Sequence, residues 1–176
     1  MFSNCYRIEK TRSSRSHAGE AGIYFVTLCC HQRKNYFGSV VHNAVQLTEI
    51  GCIAHNCWSM IPMRYPHVSL DTFVVMPNHL HGLIEIQTQA ETENRKPRSN
   101  QLWQLQQGSL YAIVQAYKAA VKRICWYWDY EEFKWQSRHF EQIVPPDGSL
   151  NRIRQDILNN PRKWTMERNN PSSLWM

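Results

Sequence analysis

The chain has 176 residues, 43% of them hydrophobic and 12% aromatic, which suits one folded domain with a buried core and excludes a disordered chain. A formal charge of +6 favours an anionic partner, and no apolar run approaches the roughly 20 residues a bilayer span needs. The opening Met-Phe-Ser-Asn-Cys-Tyr-Arg lacks a secretory apolar stretch, so a cytoplasmic protein with no membrane partner is expected.

Residues 1–20 carry Arg7, Lys10, Arg12 and Arg15 without apolar period, and read as a basic arm ahead of a domain over 21–165. Cys5, Cys29, Cys30, Cys52, Cys57 and Cys125 form no Cys-x-x-Cys pair and read as reduced packing residues; a zinc site on Cys52 and Cys57 would need two more ligands. Ile23 to Cys30 is β-branched and aromatic, a buried strand, and Arg33 and Lys34 follow it as a phosphate-contact corner. Leu47, Ile50, Ala54 and Trp58 then follow a helical stripe, with Asn43 as N-cap and Pro62 as stop. Val68 to Met76 and His79 to Ile86 are two further strands joined by Pro77-Asn78. Pro77 has no N–H for a central strand, and Asn78 suits a turn.

Residues 87–108 are polar, a linker or hairpin extension within the domain. A second helix begins after the N-cap Ser109, with Leu110, Ile113, Val114, Tyr117, Val121 and Ile124 on one buried face. Lys118, Lys122 and Arg123 fall off that stripe, toward solvent or a phosphate backbone. Trp126 to Tyr130 is an aromatic cluster that reads as packing of the helix end, with base stacking as the alternative. A short strand from Phe140 to Val144 precedes the turn Pro145-Pro146-Asp147-Gly148. Ser149 caps a last helix that points Leu150, Ile153 and Ile157 inward and ends at Asn160-Pro161. Residues 166–176 read as a polar tail. The order β-α-β-β-α-β-α predicts an α+β fold, an antiparallel sheet with helices packed on one face.

The chemistry-bearing pattern is His79-Leu80-His81. In a strand the two imidazoles project to one side, while Leu80, Gly82, Ile84 and Ile86 share the other. Such a pair is half of a divalent-metal site, or two histidines on a polar sheet face. The string Val74-Val75-Met76-Pro77-Asn78-His79-Leu80-His81-Gly82-Leu83-Ile84 resembles the HUH strand of the single-tyrosine transposases. The branch associated with repetitive extragenic palindromes (REP) is the most similar. The resemblance extends to Tyr24–Leu28, Lys118, Trp135-Gln136 and Asn159-Asn160-Pro161, covering roughly residues 22–164.

That resemblance implies a ferredoxin-like fold and cleavage and rejoining of hairpin-flanked single-stranded DNA, by a monomer or homodimer. It implies Mg²⁺ or Mn²⁺ on His79, His81 and Asn160, and a tyrosine nucleophile on the last helix. Asp156 stands at the tyrosine's position. Either the covalent link is lost, or Asp156 is a metal ligand for water-based cleavage, or another tyrosine serves; Tyr117 belongs to the buried stripe and Tyr111 lies off it. Arg33, Lys34, Lys118, Lys122, Arg123, Arg152, Arg154, Arg162 and Lys163 are expected to line one DNA groove. Competing readings are a non-catalytic hairpin DNA binder on the same fold, a water-using metal-dependent nuclease, and a metal hydrolase of small substrates.

Overall fold

The computed structural model describes residues 21–87 and 109–168, with side chains through residue 166. The basic arm, the polar segment after Gln87 and the end of the tail lie outside the described residues. The first strand, β1 (Gly22–Cys29), is where its β-branched run predicts it. The next segment differs from expectation. Gly38–Val41 (β2) and Ala44–Leu47 (β3) pair as a hairpin closed by His42 and Asn43, at φ 49° and 62°. Two left-handed loop residues match the twist of the strands, and Asn and His tolerate that conformation better than most side chains. Helix α1 (Glu49–Ser59) therefore starts later, capped by Thr48, whose hydroxyl accepts the Gly51 N–H at 3.1 Å. Helix α1 ends ahead of Pro62, as expected, and Pro62 then lies in the first turn of α2 (Ile61–Arg64), where a missing N–H costs nothing.

The strands β4 (Val68–Met76), β5 (His79–Ile86) and β6 (Phe140–Ile143) complete an antiparallel sheet in the order β4-β5-β1-β6. Met76 pairs with His79 across the two-residue Pro77-Asn78 turn, and the β4–β5 register shifts between Leu70 and Phe73. Helix α3 (Leu110–Tyr127) packs with α1 over one face, burying Val26, Leu28, Leu80, Ile84, Ile113, Val114, Tyr117 and Trp58. This is the helix layer the sequence predicts. Gly82 permits its close approach, because a Cβ there would stand 2.6 Å from Cζ2 of Trp58. On α3, Cys125 is buried and Ile124 is only half-buried. Trp126, Tyr127 and Trp128 do not pack: each is more than 60% exposed, because the helix ends among them at the surface.

The opposite face is also partly covered. Met76 and Leu83 are fully buried there, and α4 (Ser149–Leu158) lies against β4 and β5 with Ile157 buried. Leu83 shares the histidine face by strand alternation, so that face needs an apolar cover. Gly148, at φ 83°, rather than Ser149 occupies the N-cap, and the Asp147 carboxylate accepts the Ser149 N–H at 2.9 Å. Helix α4 ends at Leu158 as Asn160-Pro161 suggests. The chain then resumes as α5 (Asn160–Arg168), with Pro161 in its first turn. No helix among the described residues is long and apolar enough to cross a membrane.

Candidate metal and nucleic-acid site

Strand alternation puts His79 and His81 on one face, as predicted, and α4 and α5 cover that face. Their ring centroids are 4.4 Å apart with planes at 74°. Each ring is held through Nδ1: His79 by Asn78 Oδ1 at 2.7 Å and His81 by Thr27 Oγ1 at 2.8 Å. Thr27 is the cross-strand partner of His81 in the β1–β5 register. Phe25 stacks on His81 with centroids 5.4 Å apart. Neither Nε2 takes a hydrogen bond from the described residues, so both remain as lone-pair or proton positions. Burial drives the His79 pKa well below its ordinary value, helped by His81 and Arg33. Burial likewise lowers His81 to about 4, with Arg33 and Lys163 adding to the effect. Both rings are therefore neutral at physiological pH, the form a metal ion binds.

Helix α5 brings the remaining groups. Trp164 covers His79, with ring centroids 5.9 Å apart, and Lys163 reaches the field of His81. Asn160 stands three and four residues before them, on the same helix face. Asp156, at the end of α4, pairs with Lys163 at 2.6 Å. Among the described residues no three His, Cys, Asp or Glu side chains gather to hold a metal, so Asp156 is not a third ligand beside the two histidines in this arrangement. Cys52 and Cys57 are free thiols, and among the described residues no metal-holding group includes them. The donor set is therefore two neutral imidazoles, with Asn160 on the adjoining helix. It fits a divalent ion that draws its other ligands from water or phosphate.

The predicted basic groove is only partly assembled. Arg33 and Lys163 act on the histidines, and the exposed Lys34 and Arg162 adjoin them in sequence. Lys118 is buried, only 8% exposed, and donates through Nζ to the carbonyls of Gln136 at 2.6 Å and Ser137 at 3.0 Å. Lys122 donates to the Phe133 carbonyl at 2.7 Å. These two lysines hold the 131–137 segment instead of facing solvent or DNA. Arg154 is gripped by Asp71, with Nε 2.9 Å from Oδ2, and this bond first of all lowers the Asp71 pKa. Arg123 lies beside Cys57 on the α1–α3 side of the sheet, away from the histidines. Arg152 is exposed near Asp147. Tyr117 is buried, its hydroxyl donating to the Ala54 carbonyl at 3.0 Å, whereas Tyr111 is 60% exposed and lies against His139.

Thr27, Asn78, Asp71 and Trp164 were not singled out by sequence reasoning as parts of the site. Alternation and register carry a signal for Thr27, since a polar residue next to the histidines on a neighbouring strand faces the same way. An aspartate in the apolar β4 run signals a cationic partner without naming it.

No model of a known protein family matches the chain. A protein of Haemophilus influenzae, described only as uncharacterized, is 36% identical over 152 residues, covering 83% of each chain. The solved structure of a REP-associated tyrosine transposase bound to a REP hairpin overlaps 85% of this chain and 72% of its own, at TM-score 0.54 and 16% identity. At that identity the overlap speaks for the fold. A structure of a candidate transposase from Deinococcus radiodurans covers 86% of this chain at TM-score 0.39, too low to carry an argument. The chain thus belongs to the family of the Haemophilus protein, and its α+β fold is that of the REP-associated tyrosine transposases.

Proposed function

We propose that the chain binds hairpin-bearing single-stranded DNA and holds Mg²⁺ or Mn²⁺ on His79 and His81, with Asn160 as a further ligand. The observation that carries this reading is the imidazole pair: two neutral rings 4.4 Å apart, each anchored at Nδ1, beside the cations Arg33 and Lys163. A bound divalent ion would polarise a phosphodiester as a Lewis acid. The chain's own residues would do the rest. Arg33 binds the phosphate, Thr27 and Asn78 hold the ligand rings, and Trp164 limits water at His79. The hairpin bound by the structural neighbour supports the choice of DNA.

The covalent step of a tyrosine transposase is not expected here. Asp156 occupies the tyrosine's position and is engaged by Lys163. An acyl phosphate on Asp156 would hydrolyse and could not conserve the energy for rejoining strands. The reading is therefore of a DNA- and metal-binding protein on the transposase fold, without a phosphotyrosine intermediate. The test is incubation of the chain with a hairpin single strand and Mn²⁺, followed over a salt series and on a denaturing gel. Binding should weaken steeply with salt, and no protein–DNA band should survive denaturation. A surviving band would overturn the non-covalent assignment. Binding indifferent to salt, or absent, would overturn the DNA reading.

A further inference from the structure

We propose that Asn78, gripped by the Arg33 main chain, is the positioning residue that fixes the proton of His79 on Nδ1 and leaves Nε2 as the lone-pair nitrogen. Which atoms donate decides the tautomer. Asn78 Nδ2 lies 3.1 Å from the Arg33 carbonyl oxygen, and Asn78 Oδ1 lies 2.7 Å from His79 Nδ1. A main-chain carbonyl only accepts, so the amide group must turn its NH₂ toward Arg33. The flipped amide would set two oxygens against each other. Oδ1 therefore faces His79, and it too only accepts. Nδ1 must supply the hydrogen, and in a neutral ring Nε2 then carries the lone pair. The contact between Thr27 and His81 has no such direction, because a hydroxyl both donates and accepts.

The grip on Asn78 is built into strained backbone. Gln32 and Arg33 adopt consecutive left-handed conformations, at φ 53° and 55°, which side chains without special tolerance rarely adopt. Strain of this kind persists only where neighbours over-determine it. Here the His31 N–H donates to the Lys134 carbonyl at 2.8 Å, and the Cys30 N–H donates to the Asn78 carbonyl at 2.9 Å. Asn78 is thus held at its main chain by Cys30 and at its amide by Arg33. The turn that presents Arg33 also sets the ring of His79.

This inference rests on the metal reading above only for its effect on affinity, and the experiment separates the two. Two-bond ¹⁵N–¹H correlations of the imidazoles in the metal-free protein should show His79 protonated mainly on Nδ1. Asn78→Ala should shift that population toward Nε2–H and weaken Mn²⁺ binding, measured calorimetrically, about 10–100-fold. In Asn78→Asp the carboxylate turns away from the Arg33 carbonyl but still accepts Nδ1–H, more strongly than an amide, so the variant should retain the tautomer even if the alanine variant does not fold. A proton on Nε2 of His79 in the unaltered chain would overturn the proposal. So would an unchanged tautomer in a folded Asn78→Ala variant, or loss of the tautomer in Asn78→Asp. The expected tautomers in a chain that takes up no Mn²⁺ would uphold Asn78 as the positioning residue and remove the metal reading.

Discussion

Lys118 separates a structural lysine from a DNA-binding one. Its stem is buried on α3, and its ammonium donates to the Gln136 and Ser137 carbonyls. The main-chain carbonyl of Lys118 itself accepts the Trp135 Nε1–H at 3.2 Å. Replacing Lys118 with alanine removes both charged-donor bonds, each worth about 1.5–3 kcal/mol, together with the packing of the stem. Two effects oppose this. Burial already penalises the charged form and lowers the Lys118 pKa, and the two carbonyls belong to exposed residues that water can reach. The net expectation is a loss of about 2–3 kcal/mol, or roughly 4–12 °C in Tm for a chain of this size. Lys118→Met keeps most of the packing and should lose less. Urea unfolding measures the stability, and hairpin binding across a salt series measures phosphate contact. The slope of log affinity against log salt should stay as it was. A variant of unchanged stability whose slope falls by about one unit would refute the argument, because it would place the ammonium on a phosphate.

Acid should destabilise the fold through the histidines. The folded-state pKa of His81 is about 4 against an ordinary 6.5, and that of His79 is lowered as well. The unfolded chain then binds more protons as the pH falls below 6.5, so the stability present above 6.5 is lost progressively down through about 4. For His81 the loss is at most about 3 kcal/mol, less where water reaches the half-buried ring, and urea unfolding at pH 7, 5.5 and 4.5 reads it. No loss, or one equally large after both histidines are replaced, would count against it. Gly82→Ala should destabilise by about 1–3 kcal/mol in thermal unfolding, since its Cβ would meet Trp58 at 2.6 Å in a packed core; a neutral result would mean that the indole moves aside. Asp156→Tyr should yield a protein–DNA band on a denaturing gel with a hairpin strand and Mn²⁺, whereas the unaltered chain yields none. A band from the unaltered chain, mapped to Tyr111 or another tyrosine, would move the nucleophile elsewhere.

The elements visible in the sequence are those whose own period decides them. β1, β4 and β5 carry uninterrupted β-branched or alternating runs, and α3 carries a long single stripe behind a serine cap. The β2–β3 hairpin was hidden because Asn43 serves equally as a helix cap and as the second residue of a tight turn. Leu47, which belongs to β3, also happens to extend the stripe of α1 by one helical step. Pro62 and Pro161 each lie just past a helix end, as expected, but each also opens the next helix. Proline ends a helix from within but opens one from its first turn, and the residue type alone does not distinguish the two. What covers the histidine face was equally illegible, because α5 has no apolar stripe and docks through isolated residues such as Trp164 and the buried Pro161.

At the site, the histidines were legible because a strand's period of two fixes their common face. The lysines of α3 were not, because a cation off the buried stripe reads as solvent-facing unless the segment folding over it is known. Asp156 shows how the missing partner changes the chemistry. Taken alone, at the position the resemblance gives to the nucleophile, its carboxylate would repel a scissile phosphate and invite a metal. Paired with Lys163 from the next helix, it is neutralised in place, and it holds back a cation that already acts on His81. A tyrosine at 156 would therefore do two things at once. It would supply a nucleophile, and it would release Lys163 to join Arg33 on the phosphate. Lys163→Met in the Asp156→Tyr background separates these effects, because it removes the released cation while keeping the new phenol. The covalent band should then persist but form more slowly and with a shallower salt dependence. Equal rates with and without Lys163 would mean that the lysine serves only to quiet Asp156.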